Sequence, residues 1–427
     1  MLTFIFITMV VLLLLGFPMM VPLLSAALLI LFLELGSTNV SLLIGQLMSG
    51  VQSWALAAVP LFIFAADIMT KGHTSNRLLD LVQTFVGHLR GGLPITTATS
   101  CTLFGAVSGS TQATVVAMGG PMRPKLLEKG YSDKFTIALI INASDIALLI
   151  PPSIGMIIYG VVAGASIGDL FIAGIVPGLM ILAMISIYCY IASRIQGIEP
   201  EERATWLMRY QAFRRALLPL GFPFVVVGGI YGGFFSPTEA AAIAVLYALV
   251  LEIVVLRAVR IQDLWSIALS TGLITAVVFI LVAAGNAFTY TISFAGIPDA
   301  LLQPVIANLA DNPTAVLALI AVSFFIGCMF VDPIVVILVL VPIFAPLVQA
   351  AGIDPVLVGV IITLQVAIGS ATPPFGVDIF TAIAIFRRPY MEVIRGTPPF
   401  IVMLFGVSVA LIMFPQIALF LRDLAFG

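Results

Sequence analysis

Charged side chains are scarce in this sequence. Only 9% of its 427 residues are Asp, Glu, Lys or Arg, whereas 61% are apolar. In soluble domains about 25% of residues are charged and about 45–50% are apolar. A soluble core cannot use so much apolar surface, so most of it must face lipid or other buried helices. The formal net charge of −2 gives no electrostatic support for a nucleic-acid partner.

Histidine and cysteine are also rare. The two histidines, His73 and His88, lie in a polar stretch between apolar runs, which leaves no histidine metal site or histidine base inside a membrane. The three cysteines fall in apolar runs without a CxxC pair, so they predict no disulfide framework. Neither G-x-x-x-x-G-K-[ST] nor H-E-x-x-H occurs, and the sequence therefore favours neither an ATPase nor another enzyme.

Long apolar runs are abundant instead, and their lengths suit membrane spans. They lie near residues 2–17, 19–35, 54–70, 95–118, 135–162, 168–192, 213–234, 238–257, 265–292, 314–346, 356–386 and 397–421. The first run lacks a basic segment before it and a cleavage site after it, so it is expected to be the first span and not a signal peptide. The sequence therefore predicts an all-α polytopic membrane protein.

Four of these runs contain residues that interrupt helices. The interruptions are Gly105 and Gly109 in 95–118, Pro151-Pro152 in 135–162, Gly327 and Asp332-Pro333 in 314–346, and Pro373-Pro374 in 356–386. An interior proline destabilises a helix by about 3 kcal/mol or more in water. In a membrane such a break persists only where protein or an aqueous cavity satisfies the freed backbone groups. We therefore expect helix continuity to fail in these four runs.

The interruptions recur at a fixed distance along the chain. The shift of numbering that places Gly105 on Gly327 also places Gly130 on Gly352, Pro151 on Pro373 and Pro152 on Pro374, without a gap. This recurrence predicts two structural repeats. The predicted limits are 1–200 for the first repeat, 201–214 for a connection and 215–427 for the second repeat.

Basic residues in the loops indicate how the two repeats are oriented. The connection RPKLLEKGYSDK contains four Lys and Arg residues, whereas APLVQAAGIDP, its counterpart under the same shift, contains none. Lys and Arg concentrate in cytoplasmic loops, so equivalent loops lie on opposite faces of the membrane. The repeats are therefore predicted to have inverted topology, and the arginine-rich connection 201–214 is predicted to be cytoplasmic.

Inverted repeats with discontinuous helices form the central sites of many secondary transporters. Broken helices expose N–H groups, which favour anions, and carbonyl groups, which suit Na⁺. The predicted substrate-binding residues are Ser108, Gly109, Ser110, Thr111, Ser153, Asp332 and Pro374. The predicted Na⁺ ligands are Asn142, Ser144, Asp145, Pro151, Gly327, Gly369, Ser370 and Thr372. Close helix packing is the alternative explanation for the small residues of the first break, and a structural kink for those of the second.

Four acidic residues lie within or at the ends of apolar runs. A carboxylate at membrane depth is a functional candidate because its burial is costly. Asp145 lies six residues before a double proline and Asp332 lies at an interruption, so both are predicted to serve a cation site or a gate. Asp67 and Asp378 are expected to cap helix ends near the membrane interface.

The sequence resembles a known family over nearly its whole length. The motifs are FGAVSGSTQATVVAMGGPMRPKLLEKGY, LIPPSIGMIIYGV, GGFFSPTEAAAIAVLYAL and GSATPPFGVDIF. In this order they are similar to the large membrane (DctM-type) subunit of tripartite ATP-independent periplasmic (TRAP) transporters. The resemblance implies import of small organic anions or related zwitterions across the bacterial inner membrane. It further implies an elevator movement driven by a Na⁺ gradient.

The resemblance also implies partners and a division of the chain. The partners are a small four-helix membrane subunit and a soluble periplasmic substrate-binding protein. The transport domain would contain re-entrant hairpins at 95–120 and 314–346 and broken helices at 135–162 and 356–386. The scaffold would contain the SPTEAAA stretch with Glu239.

One departure from the family leaves the role of Asp145 open. Members often have glycine-rich sequence before the double proline, whereas this chain has NASDIALLIPP. Asp145 could serve a cation site, recognise a cationic part of the substrate, or anchor the loop. Two other functions also stay open. One is a self-sufficient ion-coupled organic-anion carrier; the other is a membrane subunit of a respiratory or ion-pumping complex, for which no intramembrane histidine is available to ligate haem.

Overall fold

The structure is a computed structural model that describes residues 2–33 and 40–426. Those residues form α-helices with short 3-10 and π segments, and no β-strand occurs among them. An α-helix satisfies its backbone hydrogen bonds locally, as a lipid environment requires. The prediction of an all-α membrane protein is therefore confirmed. Met1, Gly427 and residues 34–39, which include the end of the predicted run 19–35, lie outside the described residues.

The helices have the following bounds. The N-terminal helices are α1 (Leu2–Leu14), α2 (Met20–Leu33), α3 (Val40–Gly50), α4 (Ala58–Lys71), α5 (Thr74–Val86), α6 (Gly92–Ser108), α7 (Thr111–Glu128), α8 (Asp133–Ser144), α9 (Ile154–Ala163) and α10 (Ile167–Ile195). The C-terminal helices are α11 (Trp206–Tyr231), α12 (Pro237–Leu249), α13 (Asp263–Phe294), α14 (Ile297–Leu309), α15 (Pro313–Phe330), α16 (Pro333–Ala350), α17 (Pro355–Ser370), α18 (Val377–Phe386), α19 (Tyr390–Ile394), α20 (Pro398–Met413) and α21 (Gln416–Phe426). Short 3-10 helices cover Trp54–Ala57 before α4 and Asp145–Leu148 after α8. A π-helical segment, Val250–Val255, continues α12.

Fewer helices cross a membrane than the number of apolar runs suggests. Seven helices of the described part are long and apolar enough to cross, and the bent pair Pro398–Met413 and Gln416–Ala425 makes an eighth if it counts as one span. Some runs contain only shorter helices because a break divides them. The run 2–17 also falls short, since α1 has 13 residues where a straight span needs about 20.

Two helical hairpins form where glycine and Asp-Pro interrupt the sequence. The first joins α6 to α7 through Gly109 and Ser110, and the second joins α15 to α16 through Val331 and Asp332. The hairpins span residues 92–128 and 313–350, beyond the predicted limits of 95–120 and 314–346. In the first hairpin, α7 extends beyond the apolar run because Arg123, Lys125 and Glu128 end that run without ending the helix.

Two broken helices follow the hairpins. A break separates α8 and its 3-10 helix from α9, and another separates α17 from α18. Each break contains a double proline, and the Pro151-Pro152 and Pro373-Pro374 peptide bonds are both cis. Proline cannot donate a backbone hydrogen bond, so the helix ends there. The prediction of two broken helices is therefore confirmed. They cover 133–163 and 355–386, where the predicted limits were 135–162 and 356–386.

Helix boundaries repeat at the distance found in the sequence. Under the shift that places Gly105 on Gly327, α7 coincides with α16, and the segment 133–148 coincides with α17. Under the same shift, the last residue of α6 falls on the last residue of α15. The first residue of α6 falls one residue after the first residue of α15. This agreement supports the interpretation of two structural repeats. Their predicted limits, 1–200, 201–214 and 215–427, and their inverted orientation stay predictions.

The breaks meet inside the protein. The hairpin arms pack on the broken helices, with α6 and α7 against α8, α7 against α18, and α15 against α17. Other helices surround them, with α4 packed against α12 and α13, and α13 against α2, α3 and α16. Ser108, Ser153 and Ser370 at the breaks are all buried. The freed backbone groups therefore face protein and not lipid, as a break at membrane depth requires.

Candidate functional site

The tip of the first hairpin lies against the first double proline. Gly109 has a φ of +59°, and a Cβ atom there would lie 2.4 Å from the carbonyl oxygen of Pro152. The backbone N–H of Ile154 donates to the carbonyl of Gly109 at 3.5 Å. Only glycine combines this left-handed φ with such close approach at little cost. The structure thus brings the predicted residues 108–111 together with Ser153.

Serines begin the helices on both sides of this contact. Ser110 precedes α7 and accepts from the backbone N–H of Ala113, while Ser153 precedes α9 and accepts from Met156. The Ser108 hydroxyl lies 3.0 Å from the hydroxyl of Thr114. Two helix N-termini, whose free N–H groups and dipoles favour negative charge, therefore begin beside one another.

The tip of the second hairpin lies against the second broken helix. Asp332 precedes α16 and accepts from the backbone N–H of Ile334 at 2.9 Å. A Cβ atom at Gly369 would lie 2.4 Å from the Cβ of Cys328, so the end of α17 touches the end of α15. The backbone N–H of Phe375 also donates to the carbonyl of Met329 at 3.1 Å. The second group of predicted residues is therefore also brought together.

Several predicted residues of the second break already have partners. The hydroxyl of Thr372 donates to the carbonyl of Ile368. The carbonyl of Pro374 accepts from the hydroxyl of Tyr390 at 3.0 Å. Gly327 faces the other arm of its own hairpin, where a Cβ atom would lie 2.9 Å from Val336. These contacts tie the second break to neighbouring residues, and Tyr390 is one that the sequence analysis missed.

Asp378 joins the two halves of the chain. Its carboxylate accepts from the hydroxyl of Thr111 at 2.8 Å and from the hydroxyl of Ser370 at 2.8 Å. The side chain is fully buried. The expectation that Asp378 caps a helix end near the interface was wrong, because its partners come from α7 and α17 and not from its own helix.

Asp67 was assigned wrongly for the same reason. It lies in α4 and accepts from the hydroxyl of Thr271 in α13 at 2.7 Å. This hydrogen bond links two helices outside the hairpins and broken helices. Asp67 therefore stabilises helix packing at a distance from the breaks.

Asp145 differs from the other acids of the site. It begins the 3-10 helix after α8 and is fully buried, yet neither carboxylate oxygen has a hydrogen-bond partner among the described residues. The Oδ1 atom of Asn142, three residues earlier, is also buried and unpartnered within the described ranges. Ser144 donates to the carbonyl of Ile140 at 2.7 Å, so its donor is used inside the helix. Three buried acceptor oxygens thus have no described donor.

The site contains carboxylates without basic partners. Asp378 lies close enough to Asp145 and to Asp332 for their charges to repel one another. The ion pairs found in the described part of the chain lie elsewhere, at Asp133, Asp263, Asp354 and Asp423. No group of three or more His, Cys, Asp or Glu residues is arranged for a metal ion among the residues searched. A cation here would need carbonyl, hydroxyl or amide oxygens as well.

Comparison with known proteins identifies the family. The family described as tripartite ATP-independent periplasmic transporter, DctM component, matches residues 6–417. The chain belongs to this family. It is therefore a large permease subunit of a TRAP transporter, a family of transport proteins and not of enzymes. The family resemblance found in the sequence is confirmed, and the alternative of a respiratory or ion-pumping subunit is excluded.

Two curated relatives are similar over almost their whole length. The ectoine TRAP transporter large permease protein TeaC of Halomonas elongata is 64% identical over 98% of this chain and 98% of its own. The ectoine/5-hydroxyectoine TRAP transporter large permease protein UehC of Ruegeria pomeroyi is 63% identical over 99% of both chains. The C4-dicarboxylate large permease protein DctM of Pseudomonas aeruginosa is 33% identical over 87% of both chains.

A solved structure shares the fold. The YdaH transporter of Alcanivorax borkumensis, described as having an unusual topology, superposes with a TM-score of 0.64. The alignment covers 88% of this chain and 87% of that one, at 16% identity. At this low identity the likeness concerns the fold alone.

Proposed function

We propose that this chain is the transporting subunit of a Na⁺-coupled, binding-protein-dependent transporter that imports ectoine or a close relative across the bacterial inner membrane. The identity to the two relatives named for ectoine carries this proposal. They are 64% and 63% identical to this chain, whereas relatives named for C4-dicarboxylates, sialic acid and isethionate are 33%, 32% and 34% identical.

The chemistry of the site suits a zwitterion better than a simple anion. The N-termini of α7 and α9, capped by Ser110 and Ser153, favour a carboxylate. Asp145, Asp332 and Asp378 favour positive charge in the same region. Ectoine carries one carboxylate and one cationic amidinium ring, so it satisfies both preferences. The organic anions expected from the sequence are thereby narrowed to zwitterions.

Sodium ions would complete the charge balance of this site. Carbonyl and hydroxyl oxygens at the ends of broken helices are hard oxygen donors that suit such a cation. We assign the first Na⁺ site to Ser144 and Pro151 of the first break. Asn142 and Asp145, which the sequence analysis also named as Na⁺ ligands, are instead assigned to the substrate below. We assign the second to the break formed by Gly327, Gly369, Ser370 and Thr372. Bound Na⁺ would supply positive charge that offsets the buried carboxylates.

The proposed partners and movement follow from the family and the surfaces of the chain. The partners are a small four-helix membrane subunit and a soluble periplasmic binding protein. The hairpins and broken helices would move as a unit against the surrounding helices. Along α13 the side chains of Trp265, Leu269 and Leu273 are 79%, 58% and 64% exposed. Their spacing of four residues forms an apolar stripe that suits lipid or a helix of the small subunit.

Reconstituted uptake tests this function. Proteoliposomes would contain this chain and its small membrane subunit, with the binding protein added outside and labelled ectoine as substrate. We expect uptake only when an inward Na⁺ gradient and the binding protein are both present, with labelled succinate as the negative control. Ectoine uptake without the binding protein would instead indicate a self-sufficient carrier. Uptake of succinate in preference to ectoine would overturn the proposed substrate.

A further inference from the structure

We propose that Asp145, with Asn142 beside it, binds the cationic end of a zwitterionic substrate and thereby selects amidinium-containing solutes over simple carboxylates. This assignment rests on the function proposed above. It gives a specific role to a residue whose role the sequence left open.

The surroundings of Asp145 leave its carboxyl group available for a ligand. Its side chain exposes none of its surface, and both oxygens have no partner among the described residues. A buried carboxyl group in that condition takes up a proton unless a donor or a cation reaches it. Asp378 shows the contrast, since it is equally buried and accepts from two hydroxyl groups.

The charges around Asp145 indicate that the ligand is a cation. The charged group that acts on Asp145 is the carboxylate of Asp378, and Asp378 is in turn repelled by Asp332. Within the described residues, none of the ion pairs involves any of these three acids. A simple dicarboxylate would add charge of the same sign, whereas a zwitterion would bring positive charge to Asp145.

The geometry of the free oxygens suits an amidinium group. An amidinium ring spreads its charge over two N–H groups, and a carboxylate with two free oxygens can accept from both in parallel, as it does from arginine. Asn142 and Asp145 lie three residues apart along consecutive helical turns, so the Oδ1 atom of Asn142 is a third acceptor on the same side. All three unpartnered oxygens can therefore face one cation.

The rest of the zwitterion has a place nearby. The contact between Gly109 and Pro152 brings the starts of α7 and α9 together, and both starts favour a carboxylate. Because Asp145 is fully buried in the present structure, substrate would reach it only after the surrounding helices have separated. Asp145 would then control which substrate binds, and the helix N-termini would hold the carboxylate that zwitterions and simple anions share.

Thermal protection of the purified membrane complex tests this assignment. The complex of this chain with its small subunit would be titrated separately with ectoine, acetamidinium chloride and NaCl. We expect Asp145→Asn to raise the half-protective ectoine concentration by about tenfold or more, the loss of one charged hydrogen-bonded contact. Protection by acetamidinium should also be lost, and the half-protective Na⁺ concentration should not change.

Asp67→Asn is the matched control, because Asp67 is a membrane carboxylate that bonds to Thr271 away from the breaks. Its responses to ectoine and acetamidinium should equal those of the wild type. The ligand-free melting temperature of Asp145→Asn should be equal to or above that of the wild type, since no hydrogen bond is removed. A lower melting temperature with unchanged ectoine response would indicate a structural role and overturn the assignment.

The remaining outcomes separate the two proposals. A change in the half-protective Na⁺ concentration alone would make Asp145 a sodium ligand and overturn the assignment. If ectoine fails to protect the wild type, the proposed substrate is wrong. Thermal protection by acetamidinium then tests separately whether Asp145 binds a cation. Protection of the wild type but not of Asp145→Asn by acetamidinium would confirm the cation subsite. Equal protection of both would overturn it.

Discussion

The two broken helices have matching backbones but different carboxylates. Under the shift that places Pro151-Pro152 on Pro373-Pro374, Asp145 falls on an alanine and Asp378 falls on a methionine. Asp145 precedes its double proline and lacks described partners, while Asp378 follows its double proline and binds two hydroxyl groups. The two repeats thus share the double proline that breaks the helix, but they differ in where an acidic residue lies beside it. Asp378 bonds to two other helices, whereas Asp145 has the substrate-binding role that we propose above.

The largest expected difference between the two acids is in stability. Asp378→Asn replaces one carboxylate oxygen by an NH2 group and removes the charge, so the charge-assisted hydrogen bonds from Thr111 and Ser370 are replaced by weaker neutral ones. We expect the free energy of unfolding to fall by about 1–3 kcal/mol. Thermal melting of the purified complex measures this change. Asp145→Asn is the matched variant and should cause no such loss. Equal destabilisation by both variants would contradict the claim that only Asp378 stabilises the fold.

A second effect on stability is expected at the tip of the first hairpin. Gly109→Ala places a Cβ atom 2.4 Å from the carbonyl of Pro152, in addition to the left-handed φ of +59°. Gly130 has a φ of +98° with no atom within 4 Å of an added Cβ. The variant Gly130→Ala therefore measures only the free energy lost by placing a side chain on a left-handed backbone, about 1–2 kcal/mol. We expect Gly109→Ala to destabilise the protein more and to reduce ectoine uptake. Melting and uptake of both variants check this, and similar uptake by the two would show that the tip contact is unimportant.

The smallest effect is expected at an ion-pair cluster outside the membrane-spanning segments. Asp133 accepts from Arg123 at 2.7 Å and pairs with Arg388 at 2.8 Å. The hydrogen bond from Arg123, followed by the charges of both arginines, lowers the pKa of Asp133 below its ordinary value. The stabilisation is therefore present above the unfolded pKa of about 3.9 and is lost as the pH falls through the lower folded pKa.

The variant Asp133→Asn tests this pH dependence. Because the pairs are partly exposed, the loss at neutral pH should be at most about 1 kcal/mol for each pair. The wild type should lose this advantage over the variant as the pH falls below about 4. Melting temperatures of both proteins from pH 3 to pH 7 measure the difference. A difference in melting temperature that stays constant from pH 3 to pH 7 would show that ionisation of Asp133 does not stabilise the protein.

The sequence predicted the breaks well but not their side-chain partners. Double prolines and glycines have local effects on the backbone, so their positions alone located the hairpins and the broken helices. The bond between Thr111 and Asp378 joins residues 267 positions apart, and no local pattern reports such a contact. For the same reason Asp378 was expected to cap its own helix, and Tyr390 was not considered. The ends of the first hairpin were also missed, because α7 continues as a helix beyond the apolar run to Glu128.

A structure of the complex with bound ectoine tests the proposed substrate site most directly. The position and orientation of the substrate ring would be measured relative to Asp145 and to the starts of α7 and α9. We predict that both ring N–H groups face the Asp145 carboxylate and that the substrate carboxylate faces Ser110 and Ser153. A substrate whose ring N–H groups lie away from Asp145, or whose carboxylate approaches it, would contradict the account.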